Sequence, residues 1–471
     1  MSNASSTSGS VLRIALPALA ENVLATLVGL TDLFLAGRIS ADATAAVALV
    51  SMLGWLVGTL FSMVGVGALA LVSRSAGAGD WSAVRLASGQ AIRLAGLWGG
   101  VVGVGLGAAT PAIPLALRLE AGSFDLARQL IAVQAVGFVF LAVLSVTASC
   151  LKATGDARTP LWVMLWVNAV NIAASVFLCF GFGGLGLDLR PLGLVWAGLG
   201  AHGIAAGTLL AWTVGAVMMV RASYRGARCG AKGVGAELGR RALEPGLGGP
   251  LHRATCVRIL RVGVPACVDS LLSWIAQLCF MGMITRIAGH DGTVLYAAHM
   301  LAVRIESLSY LPATAFAVAA AALVGQRLGA RRPSQARRLG WVAAGLASGI
   351  GLVMGLLYFL FPQSLLGLFT SDPGVLHLGT APLQIVAFAQ VHLVVAIVLS
   401  GALRGAGYTR PPVVITLICM YAIRLPLAWI LIFEAELGLV GAWMAMLADL
   451  LVRGLLVAER FLRGRWYAVR V

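Results

Sequence analysis

From Val11 onward, long apolar runs alternate with short polar gaps along nearly the whole chain. A helix that crosses a bilayer needs about 20 apolar residues. The pattern predicts twelve such spans, near 11–36, 44–72, 88–112, 129–150, 160–183, 193–219, 260–286, 294–322, 340–362, 382–403, 413–433 and 439–460. Little chain is left over for a soluble domain. The largest gap, 221–258, is Gly-rich, basic and free of apolar periodicity. It reads as a flexible cytoplasmic linker between an N-terminal six-helix lobe (1–220) and a C-terminal six-helix lobe (259–471).

The two lobes repeat one another. LRIALPA at Leu12 to Ala18 matches LRVGVPA at Leu260 to Ala266, 248 positions on. ALVSRSAGA at Ala70 to Ala78 matches ALVGQRLGA at Ala322 to Ala330, and LKATGDARTP at Leu151 to Pro160 matches LRGAGYTRPP at Leu403 to Pro412, both at an offset of 252. Six helices, an even number, separate the copies, so both enter from the same side and the repeat is parallel. Parallel halves of this kind work by rocking about a central cavity. The expected fold is therefore all-α and integral to the membrane, with about twelve transmembrane helices in two pseudo-symmetric bundles around that cavity.

Composition agrees with lipid as the solvent: 60% of residues are hydrophobic and 11% charged, against roughly 25% charged in soluble domains. Mean hydropathy is +0.94. A net charge of +16 would suggest nucleic acid in a soluble chain, but here the Arg residues fill short gaps between apolar runs and act as topology signals. With the N-terminus inside, the inner gaps hold Arg74, Arg85, Lys152, Arg158, the basic 221–261 segment, the Arg327 to Arg338 run, Arg404, Arg410 and the Arg460 to Arg470 tail, while the outer ones hold chiefly Arg38, Arg118, Arg128, Arg190 and Arg286. Both termini are thus expected in the cytoplasm, and the Arg-, Ala- and Gly-rich usage suggests a bacterial inner membrane. The first apolar run has no cleavage-type exit, so it should remain as a helix. Seven Cys residues without a CxxC pair argue against a metal site or disulfide framework. Neither a phosphate-binding loop nor an HExxH motif is present, which excludes an ATP-driven pump and a membrane protease, and leaves no reason to expect an enzyme or a cofactor.

A carboxylate in the bilayer centre costs about 2.5–3.5 kcal/mol on insertion scales, so each intramembrane acid is a functional candidate. They are few: Glu21 and Asp32 in the first span, Asp269 in the seventh, Glu306 with His299 and Arg304 in the eighth, and Asp449 in the twelfth. Glu21 lies four residues after Pro17 and Asp269 four after Pro265, a symmetric pair suited to a structural role. Asp32 is different, because its repeat equivalent, fifteen residues after Pro265, is the uncharged Phe280. Asn168, Asn171 and Ser175 share one face of the fifth span, where they could complete a polar site or simply bridge helices. His299 and Glu306, seven residues apart on one face, could form a second relay or a structural hydrogen bond.

These segments resemble the MATE (multidrug and toxic compound extrusion) family from about Leu12 to Trp466. The resemblance is carried by the Pro17-to-Gly37 stretch ending TDLFLAG, AAHMLAVRIESLSYLP at 297–312, ALVGQRLGA, and GALRGAGYTRPP followed by Ile423-Arg424-Leu425-Pro426. The acid near the outer end of the first span is most similar to the DinF-like branch. The resemblance implies two six-helix bundles around a V-shaped cavity and export of organic cations or other xenobiotics in exchange for protons or sodium. It implies proton or cation coupling at Asp32 and hinge bending at Pro17, with Pro265 as its repeat counterpart. Relatives of that branch carry an Asp four residues after the amide of the fifth span, where this chain has Ser175; the loss of one hard anionic ligand tilts the expectation from sodium to protons. The implied partners are a small amphipathic cation and the bilayer, with no nucleic acid, and the working unit is expected to be a monomer. A one-for-one exchange of a proton for a monovalent cation would move no net charge and would be driven by the pH gradient alone. The alternative is a flippase for lipid-linked substrates of the wider superfamily, against which twelve spans and an acid in the first helix count. A membrane protein without transport fits the two-fold repeat least well.

Overall fold

The structure is a computed structural model that describes residues 2–110, 121–184, 198–225, 246–248, 250–287 and 292–469. Lipid offers the backbone no hydrogen-bond partner, so a spanning chain must bond within itself. Helices do so here, and no strand occurs among the described residues. The first half holds α1 (Ser2–Gly37), α2 (Ala41–Gly77), α3 (Trp81–Ala109), α4 (Ala121–Ala153), α5 (Arg158–Gly184) and α6 (Ala201–Arg225). The second half begins with α7 (Arg253–Ile284) and α8 (Gly292–Glu306). The 3-10 turn Ser307–Ser309 then leads into α9 (Tyr310–Gly329), α10 (Pro333–Leu360), the short α11 (Pro362–Gly367), α12 (Pro373–Ala387) and α13 (Gln390–Gly405). Last come α14 (Arg410–Thr416), α15 (Leu425–Trp429) and α16 (Gly438–Leu462).

Among the described residues, eleven helical stretches are long and apolar enough to cross a membrane, with α8 and α9 counted as one, and up to twelve if the bent pair α12 and α13 is one span. That pair replaces the single span expected at 382–403, because the chain turns by 56° between Ala387 and Gln390. The span expected at 413–433 is also irregular: π-helical turns at Leu417–Arg424 and Ile430–Glu434 flank α15. The linker expected at 221–258 is shorter at both ends, since α6 runs to Arg225 and α7 starts at Arg253. Its residues 226–245 and 249 lie outside the described residues, as do Arg118 and Arg190.

The repeat extends to backbone conformation. Gly155, in the turn between α4 and α5, has φ 96°, and its counterpart 252 residues on, Gly407, has φ 78°. Gly79 after α2 has φ 76°, and the matching position after α9 is Arg331 at φ 57°, a left-handed conformation that a non-glycine residue adopts at some cost. Asp80 caps α3 by accepting from the Ala83 amide at 2.9 Å. Asp156 does the same for α5, accepting from the amides of Arg158 (3.1 Å) and Thr159 (3.0 Å).

The chain forms two compact units: Ala20–Ala76 with Asp80–Leu260, and Met1–Leu19 with Gly77–Gly79 and Arg261–Val471. In the first, Phe61 meets Phe138 edge to face and Phe138 stacks on Trp212. Bare glycines bring its helices close. A Cβ on Gly103 would lie 2.3 Å from the Ala135 carbonyl, so α3 and α4 touch backbone to backbone, as membrane helices rich in small residues do. The second unit is built around the buried Trp443, Phe280 and Tyr358. Pro17 and Pro265 sit inside α1 and α7 at equivalent places.

Candidate coupling site

The first unit holds Asp32 near the end of α1, buried, with both carboxylate oxygens occupied by neutral donors. Asn171 Nδ2 of α5 donates to Oδ1 at 3.2 Å, and Thr208 Oγ1 of α6 donates to Oδ2 at 2.7 Å. The Asn171 amide also lies 3.0 Å from Thr208 Oγ1 and 3.5 Å from Ser175 Oγ. An amide NH2 has two protons to share among these three acceptors. Asn171 Oδ1 is buried without a partner. The result is a buried polar cluster of one carboxylate, two hydroxyls and one amide, contributed by three helices.

Helix packing explains how Thr208 reaches the acid. Gly203 and Gly207 give α6 a bare flank, and a Cβ on Gly207 would lie 2.3 Å from Ser175 Oγ and 2.7 Å from the Ser175 backbone nitrogen. The α6 backbone therefore rests directly on α5, which puts the next residue, Thr208, between Asn171 and Asp32. The sequence reading missed Thr208, a lone hydroxyl in an apolar helix. The small residues four apart just before it were the available signal. Asn168, by contrast, is one turn away from the cluster, and its amide bonds the Met164 carbonyl of its own helix at 2.9 Å.

Glu21 and Asp269 lie elsewhere, each in an ion pair. Lys152 Nζ binds Glu21 at 2.9 and 3.1 Å, and Arg404 Nη2 binds Asp269 at 2.5 Å. Lys152 and Arg404 are themselves repeat equivalents, 252 residues apart, so the duplication preserves both members of the pair. Glu21 and Lys152 border a cavity of about 240 Å³ lined also by Ser62, Ser145 and Ser149. In the second unit, Arg424 and Arg453 both grip Asp449, at 2.6 and 2.7 Å. His299 and Glu306 have separate partners. His299 Nδ1 accepts from Trp443 Nε1 at 3.2 Å, and Glu306 Oε1 accepts from the Tyr310 hydroxyl at 3.5 Å. Among the described residues no group of three or more His, Cys, Asp or Glu side chains could hold a metal ion.

The MatE family model matches residues 17–177 and again 265–430. The two matches start 248 residues apart, the spacing of the first repeat pair, and together they span more than half of the chain. This chain belongs to the MatE family. Among its curated MATE relatives is the "Probable multidrug resistance protein NorM" of Thermotoga maritima, 30% identical over 463 residues, covering 97% of this chain and 92% of that one. The "Probable multidrug resistance protein YoeA" of Bacillus subtilis is 22% identical over 94% of this chain and 90% of its own. The fold is that of solved MATE structures: one in a bent conformation superposes with a TM-score of 0.83 at 21% identity, covering 97% of this chain and 94% of that chain. A Pyrococcus furiosus transporter of the MOP superfamily gives 0.82 at 21%, covering 98% and 95%. This MATE protein is thus a multi-pass membrane transporter and not an enzyme.

Proposed function

We propose that the protein exports small amphipathic cations across a bacterial inner membrane in exchange for protons, with Asp32 as the coupling acid. The observation that carries this reading is a buried carboxylate held by two neutral donors, Asn171 and Thr208, with no basic side chain among the described residues in an ion pair with it. An ionised carboxylate in such surroundings is unfavourable unless something neutralises it. A proton or a cationic cargo can do so, and binding of one then disfavours the other. Protons fit better than sodium, because Ser175 supplies a neutral hydroxyl and only one carboxylate is present to offset a metal ion's charge. The parallel repeat supports alternating access by rocking of its halves, with both termini on the cytoplasmic side and a single chain as the working unit. Pro17 and Pro265 serve as the bending points of α1 and α7.

In proteoliposomes, an ethidium gradient should drive counterflow of protons in the wild-type protein, and Asp32→Asn should abolish it while expression and monodispersity persist. Sodium-driven counterflow without proton movement would replace the coupling ion. Undiminished exchange in Asp32→Asn would remove Asp32 from the mechanism.

A further inference from the structure

The internal repeat separates buried acids with a counterpart from those without one. Glu21 and Asp269 correspond, and each is locked in an ion pair. Asp32 has no acidic counterpart. Nor does Glu306, at the end of α8: stepping back 252 residues from Glu306 and Tyr310 gives Gly54 and Gly58. Asp156 and Asp449 also lack an acidic counterpart, but the first caps α5 and the second is held by two arginines. Asp32 and Glu306 are what remains of the buried acids among the described residues, one in each half.

Glu306 is 3% exposed. Among the described residues its hydrogen-bond partner is Tyr310 on α9, at the long distance of 3.5 Å. The polar and charged groups of the surrounding helices are already committed. Arg424, from the π-helical turns, binds Asp449 and lies over the Phe280 ring at 5.6 Å. Arg453 on α16 is bound to the same carboxylate. The Tyr358 hydroxyl of α10 donates to the Ile305 carbonyl and meets Ser309. On Glu306's own helix, His299 accepts from Trp443, and its Nε2 is buried without a partner.

The charges here make two states of Glu306 accessible. Two guanidinium groups and the one Asp449 carboxylate sum to a single positive charge in a buried setting. An ionised Glu306 makes the whole cluster neutral. A protonated Glu306 removes the cost of a desolvated carboxylate that has one weak hydrogen bond. Burial and the neighbouring excess charge thus pull in opposite directions, the arrangement a group needs in order to exchange a proton.

We propose that Glu306 is a second exchangeable proton site, so that a full cycle carries two protons inward for each monovalent cation expelled. The inference rests on the exporter reading above and deepens it. Its consequence is electrical: two protons in and one cation out move one net positive charge inward. The membrane potential then contributes roughly 50-fold to the attainable cargo gradient per 100 mV, where a one-for-one exchange gains nothing from it.

Two measurements test this. In proteoliposomes without a pH gradient, a valinomycin-imposed potential should drive ethidium transport by the wild-type protein, with two protons per ethidium. Glu306→Gln should lose the potential-driven component and fall to one proton, while responding to a pH gradient; Glu306→Asp, which keeps a titratable carboxyl, should retain it. A wild-type ratio of one, or a potential response that survives in Glu306→Gln, overturns the proposal and leaves the Asp32 reading intact. Loss of all exchange in the wild type sinks that reading instead. The second measurement is independent of cargo. In an Asp32→Asn background, the infrared band of a protonated carboxylic acid should titrate away as pH rises and be missing from Asp32→Asn/Glu306→Gln. Absence of a titrating band in the single variant, or its persistence in the double one, refutes Glu306 as a proton site.

Discussion

The Glu21–Lys152 pair offers a direct measure of what the duplication preserved. At 2.9 Å and an effective dielectric constant of about 20, the Coulomb attraction is about 6 kcal/mol. Most of that is offset by the cost of taking both ions out of water, since their side chains keep only 15% and 12% exposure. What remains is about 1–2 kcal/mol of coupling, within the range for contacting residues. Lys152→Met keeps the aliphatic stem and strands the carboxylate. Full burial would make that cost about 3–5 kcal/mol; the adjoining cavity of about 240 Å³, lined by three serines, lets water reach the group and reduces the loss to about 2–3 kcal/mol. Glu21→Gln/Lys152→Met should then be less destabilised than the two single variants together, by the coupling energy. Unfolding by denaturing detergent in mixed micelles, followed by tryptophan fluorescence, provides the four free energies. The repeat-equivalent cycle, Asp269→Asn with Arg404→Met, should give a term of the same sign. Single-variant effects that add to within about 0.3 kcal/mol would show that the pair carries no net coupling and that its duplication is not a matter of stability.

The Asp32 pocket and the helix caps yield further tests. Gly207→Ala should cost about 1–3 kcal/mol by overpacking and lower exchange, because the new methyl meets the Ser175 backbone. Gly345→Ala, where nothing lies within 4 Å, should leave thermal stability in detergent unchanged or slightly improved. Asn171→Ala should reduce proton-coupled exchange severely, whereas Asn168→Ala, whose amide serves only its own helix, should leave exchange near the wild-type level. Equal losses in the two variants would contradict the assignment of the cluster. Asp80→Ala should destabilise α3 by about 1 kcal/mol at neutral pH. The Ser82 hydroxyl and then the Ala83 amide hold the Asp80 carboxyl below the usual carboxylate range. The cap's contribution is therefore complete above the unfolded-state value, about 3.9, and fades as pH falls through the lower folded-state value. Hydrogen exchange at the first turn of α3, compared between variant and wild type across that window, reads the effect.

The sequence by itself was enough for the membrane, the helices and the repeat. Apolar run length reports the solvent directly, and a helix satisfies its backbone locally, so no tertiary contact is needed to infer it. The repeat was legible because three short segments recur at near-constant spacing, and it set Asp32 apart from Glu21 and Asp269, which the packed helices place in ion pairs while Asp32 meets neutral donors. Asn171 and Ser175 could be placed beside each other because residues four apart share a helical face.

Only the tertiary structure decided what touched what across helices. Thr208 joins Asp32 because α6 lies on α5 along Gly203 and Gly207, a contact set by the absence of side chains 32 and 36 positions along the chain from Asn171. The break between α12 and α13 escaped the hydropathy pattern because apolar composition continues through the bend. Lys152 and Arg404 looked like topology signals in short gaps, yet each reaches back to an acid more than 130 residues away. Hydropathy records how much a residue avoids water; which partner neutralises it depends on distances that exist only once the helices have packed.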